Sequence, residues 1–128
     1  RYAVVAGVGR RLRVTQWLPD DPYPCAEVQD WPDDPTDTVD PDRLADVARQ
    51  ARRAAALALE LGDPDTGSQQ ELSTDPVVAS YQLCSIAPLG DADRYTLLCA
   101  AGAGRRIELL AELLTDIEAV LQFRLGRE

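Results

Sequence analysis

The stretch from Ile107 to Leu121, IELLAELLTDIEAVL, places the strongest constraint on how this chain can fold. Ile107, Leu110, Leu114, Ile117 and Leu121 recur at spacings that alternate between three and four, and Leu113 and Val120 widen the stripe. Glu108, Glu112, Asp116 and Glu118 fall mostly off it. The pattern is that of a helix whose apolar face is too broad for a lone surface helix, so other helices must cover it. The cheapest reading is the core helix of a small bundle.

Three upstream segments can supply the cover. The first runs from about Pro41 to Leu61, with Asp40 as N-cap, Pro41 at the first helical position and Gly62 just past the end. Its stripe of Leu44, Val47, Ala48, Ala51, Ala55 and Ala58 is small enough to allow close approach. Arg49, Arg52 and Arg53 lie outside it. The second opens at Thr74-Asp75-Pro76 and runs to about Ala87, with Ala79, Leu83 and Ile86 inward and Val78 and Cys84 at the flanks. Pro88-Leu89-Gly90 breaks it. Asp91 then caps a third helix through about Ala101, expected to bury Tyr95, Leu98 and Cys99. Gly102 and Gly104 end it and allow a reversal into the last helix. Short connections make the last three helices packed neighbours.

The residues before Trp31 read as strands. A short β-like segment, Tyr2 to Ala6, leads to the turn Gly7-Val8-Gly9. Leu12, Val14, Gln16 and Leu18 then alternate with Arg11, Arg13, Thr15 and Trp17, the period of a half-buried strand. Pro19-Asp20-Asp21-Pro22 is turn chemistry. A third strand, Tyr23 to Trp31, begins at Pro24, which confines that end to a sheet edge or a strand start. Together they make an antiparallel meander that something must complete. The fold class is therefore α+β, a partial β-lobe over 1–33 followed by a four-helix lobe over 34–128. The Asp-rich segment 32–40 reads as a solvated linker and 62–73 as a mobile surface loop.

Charge and composition exclude several functions. A net charge of −9 gives no footprint for a phosphate backbone, and Arg10, Arg11 and Arg13 are the densest basic cluster, so nucleic acid is not expected as a partner. No apolar run approaches the roughly 20 residues that span a bilayer. Cys25, Cys84 and Cys99 are odd in number and form no C-x-x-C pair, which fits a reducing cytoplasm. Asp33, Asp34, Asp37 and Asp40 lack the order of a calcium loop, so no metal is expected.

Catalytic apparatus is missing from the residue list itself. The chain has no His and no Lys, which removes Ser–His, Cys–His and Ser–Lys arrangements. Gly102-Ala103-Gly104-Arg105-Arg106 lacks the order of a phosphate-binding loop and follows a helix rather than a strand. No catalytic residue and no cofactor are expected. The aromatic residues Trp17, Tyr23 and Trp31 cluster in the strand region. They suit either a core role or an apolar peptide-binding patch, since Trp and Tyr serve as interface anchors.

Several motifs, in order, resemble one family. Trp17 to Val28, with Pro22-Tyr23-Pro24-Cys25-Ala26-Glu27-Val28 at its end, is similar to the "PYPxAEV" segment of the Lon protease N-terminal domain. Ala6 to Val14 resembles that family's strand–Gly–x–x–Arg-Arg–strand signature. Asp75-Pro76, Ala79 to Leu83, Ala87-Pro88-Leu89, Asp93-Arg94, Leu97-Leu98 and Arg105-Arg106-Ile107 through Leu114 resemble its helical half. The resemblance implies the last strands of a PUA-like β-lobe followed by helices. The family's early "PLFPLG" region has no counterpart here, nor do its ATPase and Ser–Lys peptidase modules. The function implied is a non-catalytic module that recognises unfolded or degron-bearing polypeptides, as a stand-alone domain or a piece of a longer protein. The alternative is a structural or oligomerisation domain, with self-association through the broad last helix or the open sheet edges.

Overall fold

A computed structural model describes residues 11–64, 67 and 69–127. The expected first strand and the turn at Gly7 to Gly9 lie outside them. The chain divides into two compact units, residues 1–32 and 33–128.

In the first unit, β1 (Leu12–Leu18) pairs antiparallel with β2 (Cys25–Asp30). The register sets Leu12 against Asp30, Val14 against Val28, Trp17 against Ala26 and Leu18 against Cys25, with an irregularity between Val14 and Gln16. Thr15 is thus an extra residue on β1, and its hydroxyl donates to the Glu27 carbonyl at 3.2 Å. Such a bulge reverses the inward–outward alternation beyond it. Unbroken alternation would put Trp17 opposite to Leu12 and Val14; the bulge puts all three on one face.

The second unit holds α1 (Pro41–Glu60), α2 (Pro76–Ile86), α3 (Asp91–Leu98) and α4 (Ala103–Gly126). Asp40 and Asp75 cap α1 and α2 through their carboxylates, each followed by Pro. Gly62, at φ 93°, closes α1 with the Asp63 N–H donating to the Ala58 carbonyl at 3.1 Å and its own N–H to the Leu59 carbonyl at 3.0 Å. That is a Schellman ending, and the left-handed turn is why glycine sits there. The C-termini of α2 and α3 carry no basic residue of their own in the last turn. The following helix supplies it. Arg94 of α3 donates to the Ala87 carbonyl at 3.0 Å, and Arg106 of α4 donates to the carbonyls of Leu97 and Ala100 at 3.1 and 3.2 Å. Cations at these ends satisfy orphan carbonyls and oppose the helix dipole.

The core joins Val47, Ala51, Ala54 and Ala55 of α1 to Leu83 and Ile86 of α2, Leu97 of α3, and Ile107, Leu110 and Leu114 of α4. Arg43 meets Glu108, Gln50 meets Thr115 and Arg53 meets Glu118, and every one of these pairs is separated by 65 positions. A constant separation, rather than a constant sum, means that α1 and α4 run side by side in the same direction. The alanines of α1 permit that close approach. The Arg43 guanidinium holds the Glu108 carboxyl below the usual carboxylate range, chiefly through the hydrogen bond between them.

Two expectations are corrected. In α3 the buried residue is Leu97, whereas Tyr95 and Leu98 are exposed. An eight-residue helix fixes its phase poorly by pattern alone, and Gly90 rather than Asp91 is its N-cap. The acidic segment after Pro32 is not simply solvated. Asp33 is drawn among the helices, and Asp37 accepts from the Arg105 N–H at 2.9 Å, capping α4, where Gly102 offers no side chain to do so. In the 62–73 segment, Leu72 packs on the core, and Arg52 and Gln82 bind the backbone of Gln70 and Ser73.

Candidate functional site

The bulge at Thr15 builds an apolar surface. Leu12, Val14 and Trp17 share a face with their partners Asp30, Val28 and Ala26, and Trp17 is 69% exposed. Leu12, Val14 and Val28 are exposed as well. Tyr23 stands in the connection between the strands, 65% exposed, with its backbone carbonyl accepting from the Asp21 N–H at 3.0 Å.

Trp31 is placed differently. Its N–H donates to the Arg11 carbonyl at 2.8 Å, which continues the ladder one residue beyond β2. The guanidinium carbons of Arg11 and Arg13 lie 4.1 and 4.3 Å from the centre of its ring. By strand parity Trp31 and Arg13 belong to the face opposite Trp17. The three aromatic residues are therefore not one patch. Trp17 presents an apolar surface, Tyr23 stands in the turn, and Trp31 is engaged by two cations.

The helical unit contains a buried polar cluster that pattern reading passes over. Arg106 is fully buried, and its guanidinium grips the Asp33 carboxylate with Nη1 to Oδ2 at 2.7 Å and Nη2 to Oδ1 at 3.1 Å. Nη1 also donates to the Ser80 hydroxyl at 3.1 Å, Nη2 to the Tyr81 hydroxyl at 3.0 Å, and the Tyr81 hydroxyl donates to Asp33 at 2.7 Å. The Tyr81 ring lies 3.9 Å from the guanidinium carbon. With the carbonyls of Leu97 and Ala100, every guanidinium nitrogen is satisfied, and no polar side-chain atom buried among the described residues lacks a partner. A saturated cluster of this kind fixes structure and leaves no group to bind or activate a substrate.

The remaining sequence candidates make no reactive centre. Cys84 lies in the core, where burial pushes its thiol up to about 12 against the opposing pull of Arg106 and Arg94. Among the described residues no three His, Cys, Asp or Glu side chains gather as a metal site would require, and no helix is long and apolar enough to cross a membrane. One signal for the cluster was available. Arg106 stands one turn before Leu110, in phase with the apolar stripe, where an arginine must be paired.

The family model for the ATP-dependent protease La (LON) substrate-binding domain matches residues 1–116. Among curated proteins, none matches the chain.

Proposed function

Because the chain belongs to the family of ATP-dependent protease La (LON) substrate-binding domains, we propose that it is a non-catalytic module that recognises polypeptides. The observation that carries this reading is the exposed Leu12, Val14, Trp17 and Val28, gathered with half-buried Ala26 on one face by the bulge in β1. A contiguous apolar face open to water suits docking better than solvation, and a tryptophan at its edge is a natural anchor. Tyr23 extends the contact from the turn, while Trp31 with Arg11 and Arg13 frames the opposite side. The clients are unfolded or degron-bearing polypeptides in the cytoplasm, because they offer the apolar side chains that folded proteins keep inside.

Binding of the whole chain to a permanently unfolded model protein, followed by fluorescence anisotropy, tests the proposal. Trp17→Ala should weaken binding roughly fivefold or more, since an anchor of this type contributes above ~1 kcal/mol. Tyr23→Ala should weaken it less. No binding by the intact chain, or unchanged affinity in Trp17→Ala, overturns the reading. A second reading, self-association, is favoured by the exposed Val120 and Phe123 of α4.

A further inference from the structure

One bond sets the phase of the ladder between β1 and β2. The Trp31 N–H donates to the Arg11 carbonyl at 2.8 Å, so Arg11 and Trp31 form a pair whose backbone groups point at each other. An antiparallel ladder alternates such pairs with others whose N–H and C=O point away from the partner strand. Gln29 and Glu27 therefore face β1 through their backbones, and the Glu27 carbonyl accepts from the Thr15 hydroxyl at 3.2 Å. Ala26, Val28 and Asp30 send theirs to the outer edge of β2, as Leu12, Val14 and Trp17 do on β1.

The two edges are not equivalent. The bulge at Thr15 breaks the even spacing of outward groups on β1, and bulges spoil an edge for a further strand. β2 is unbroken, and among the described residues the sheet holds β1 and β2 alone. Ala26 and Val28 thus offer outward N–H and C=O groups at the regular spacing of a strand, a chemistry that another extended backbone matches. The residues that open this edge also carry the apolar face, because both follow the same two-residue period. A strand added there sets alternate side chains beside Val28 and Ala26. Ala26 is small and lies between the edge and Trp17, so the indole can meet a guest side chain across it. The intervening guest residue falls beside Glu27 on the other face. Glu27 is exposed and forms no ion pair among the described residues, and β2 carries no cation. A basic guest residue complements it, whereas a second copy of β2 would bring only further carboxylates.

We propose that a polypeptide client binds as an antiparallel strand along the outer edge of β2, paired with Ala26 and Val28, and that the favoured segment alternates apolar with basic residues. This rests on the polypeptide-recognition reading above and adds how the polypeptide is held.

Fluorescence anisotropy of the whole chain with a labelled synthetic peptide of alternating valine and arginine tests it. Proline at position 28 removes an outward N–H and no ladder bond, which edge strands tolerate. Val28→Pro should weaken peptide binding about fivefold or more, the effect of one lost hydrogen bond. Val14→Pro, the matched change on the β1 edge, should cost far less, and circular dichroism confirms that both variants are folded. The peptide itself gives a test that needs no variant: N-methylation at its valines should abolish binding, and N-methylation at its arginines should not. A peptide with glutamate in place of arginine should bind more weakly, and Glu27→Arg should reverse that order. Equal affinity of the two N-methylated peptides, or equal loss in the two proline variants, overturns the added strand. So does binding of an unfolded protein without binding of the peptide. Failure of the wild type to bind either one overturns the recognition reading, and this inference with it.

Discussion

The backbone of Gly104 donates its N–H to the carbonyl of Asp37 at 3.2 Å, an approach that leaves no room for a side chain. A methyl group there would stand 2.5 Å from the Thr38 carbonyl oxygen and press on the Asp37 carboxylate, and one on Gly102 would stand 2.5 Å from the Asp37 Cβ. These glycines are needed less for the turn they make than for the aspartate they admit. Asp37 reaches the Arg105 N–H only because both neighbours lack a Cβ.

Replacing either glycine should therefore separate the acidic segment from the start of α4. Gly104→Ala gains helix propensity yet must displace backbone, and overpacking of that kind costs about 1–3 kcal/mol. The expected result is a net loss of stability in urea unfolding. Gly126→Ala is the contrast, since nothing lies within 4 Å of its added Cβ. It should stabilise slightly, by less than the roughly 0.5–1 kcal/mol that glycine costs in the middle of a helix, because Gly126 is the last residue of α4. Equal effects at the two positions would contradict the close approach of Asp37.

Arg106, a fully buried charge, should be highly sensitive to substitution. Arg106→Met removes the charged partner of the Asp33 carboxylate and leaves it the Tyr81 hydroxyl, and breaking a buried pair in this way costs about 3–5 kcal/mol. Arg106→Lys keeps the charge but offers three donors in place of a planar fork, so it should recover less than half of the loss. Urea midpoints of the two variants decide the point. A double-mutant cycle with Asp33→Asn should give strong coupling, because the two groups share one hydrogen-bond network.

The contrast between Arg106 and its neighbours explains what could be read beforehand. Helix ends were legible because Asp40-Pro41, Gly62 and Asp75-Pro76 each perform a local task that residue type alone specifies. The core face of α4 was legible because five apolar residues repeat in phase. The phase of α3 was not, since eight residues allow several stripes and only Leu97 is buried. Nor were the roles of the aspartates. Asp33 and Asp34 are adjacent and identical, yet one enters the buried cluster while the other holds an exposed turn through Thr36. Long-range partners decide between them. The bulge at Thr15 was equally silent, and with it the face on which Trp17 stands.

The two tryptophans should be separable by fluorescence. With Trp31→Phe, the remaining Trp17 should be quenched by acrylamide almost as freely as a small indole, given its exposure. With Trp17→Phe, quenching of Trp31 should fall well below that, since two guanidinium groups stand at its ring. Trp31→Leu should also lower stability by roughly 1 kcal/mol as those cation–π contacts are lost. Client polypeptide should protect Trp17 and leave Trp31 unchanged. Equal quenching in the two variants would contradict the engagement of the Trp31 ring by Arg11 and Arg13.

Cys84 should be silent to thiol reagents while the chain is folded. Its thiol is raised to about 12, with burial as the leading cause, whereas an unfolded cysteine ionises near about 8.5. At pH 8 the native protein should therefore be alkylated at Cys25 and Cys99, both half-buried rather than buried, before Cys84, as peptide mass spectrometry would read. The same displacement has a pH consequence whose sign follows from linkage. The folded state favours the protonated thiol, so its stabilising effect is complete below the unfolded value and is lost as pH rises from there towards 12. Between those limits the thiol contributes a slope of at most about 1.4 kcal/mol per pH unit. Cys84→Ala should flatten alkaline destabilisation over that window while leaving the acid side unchanged. Rapid native labelling of Cys84 at pH 8, or an alkaline limb unaltered by Cys84→Ala, would contradict its burial.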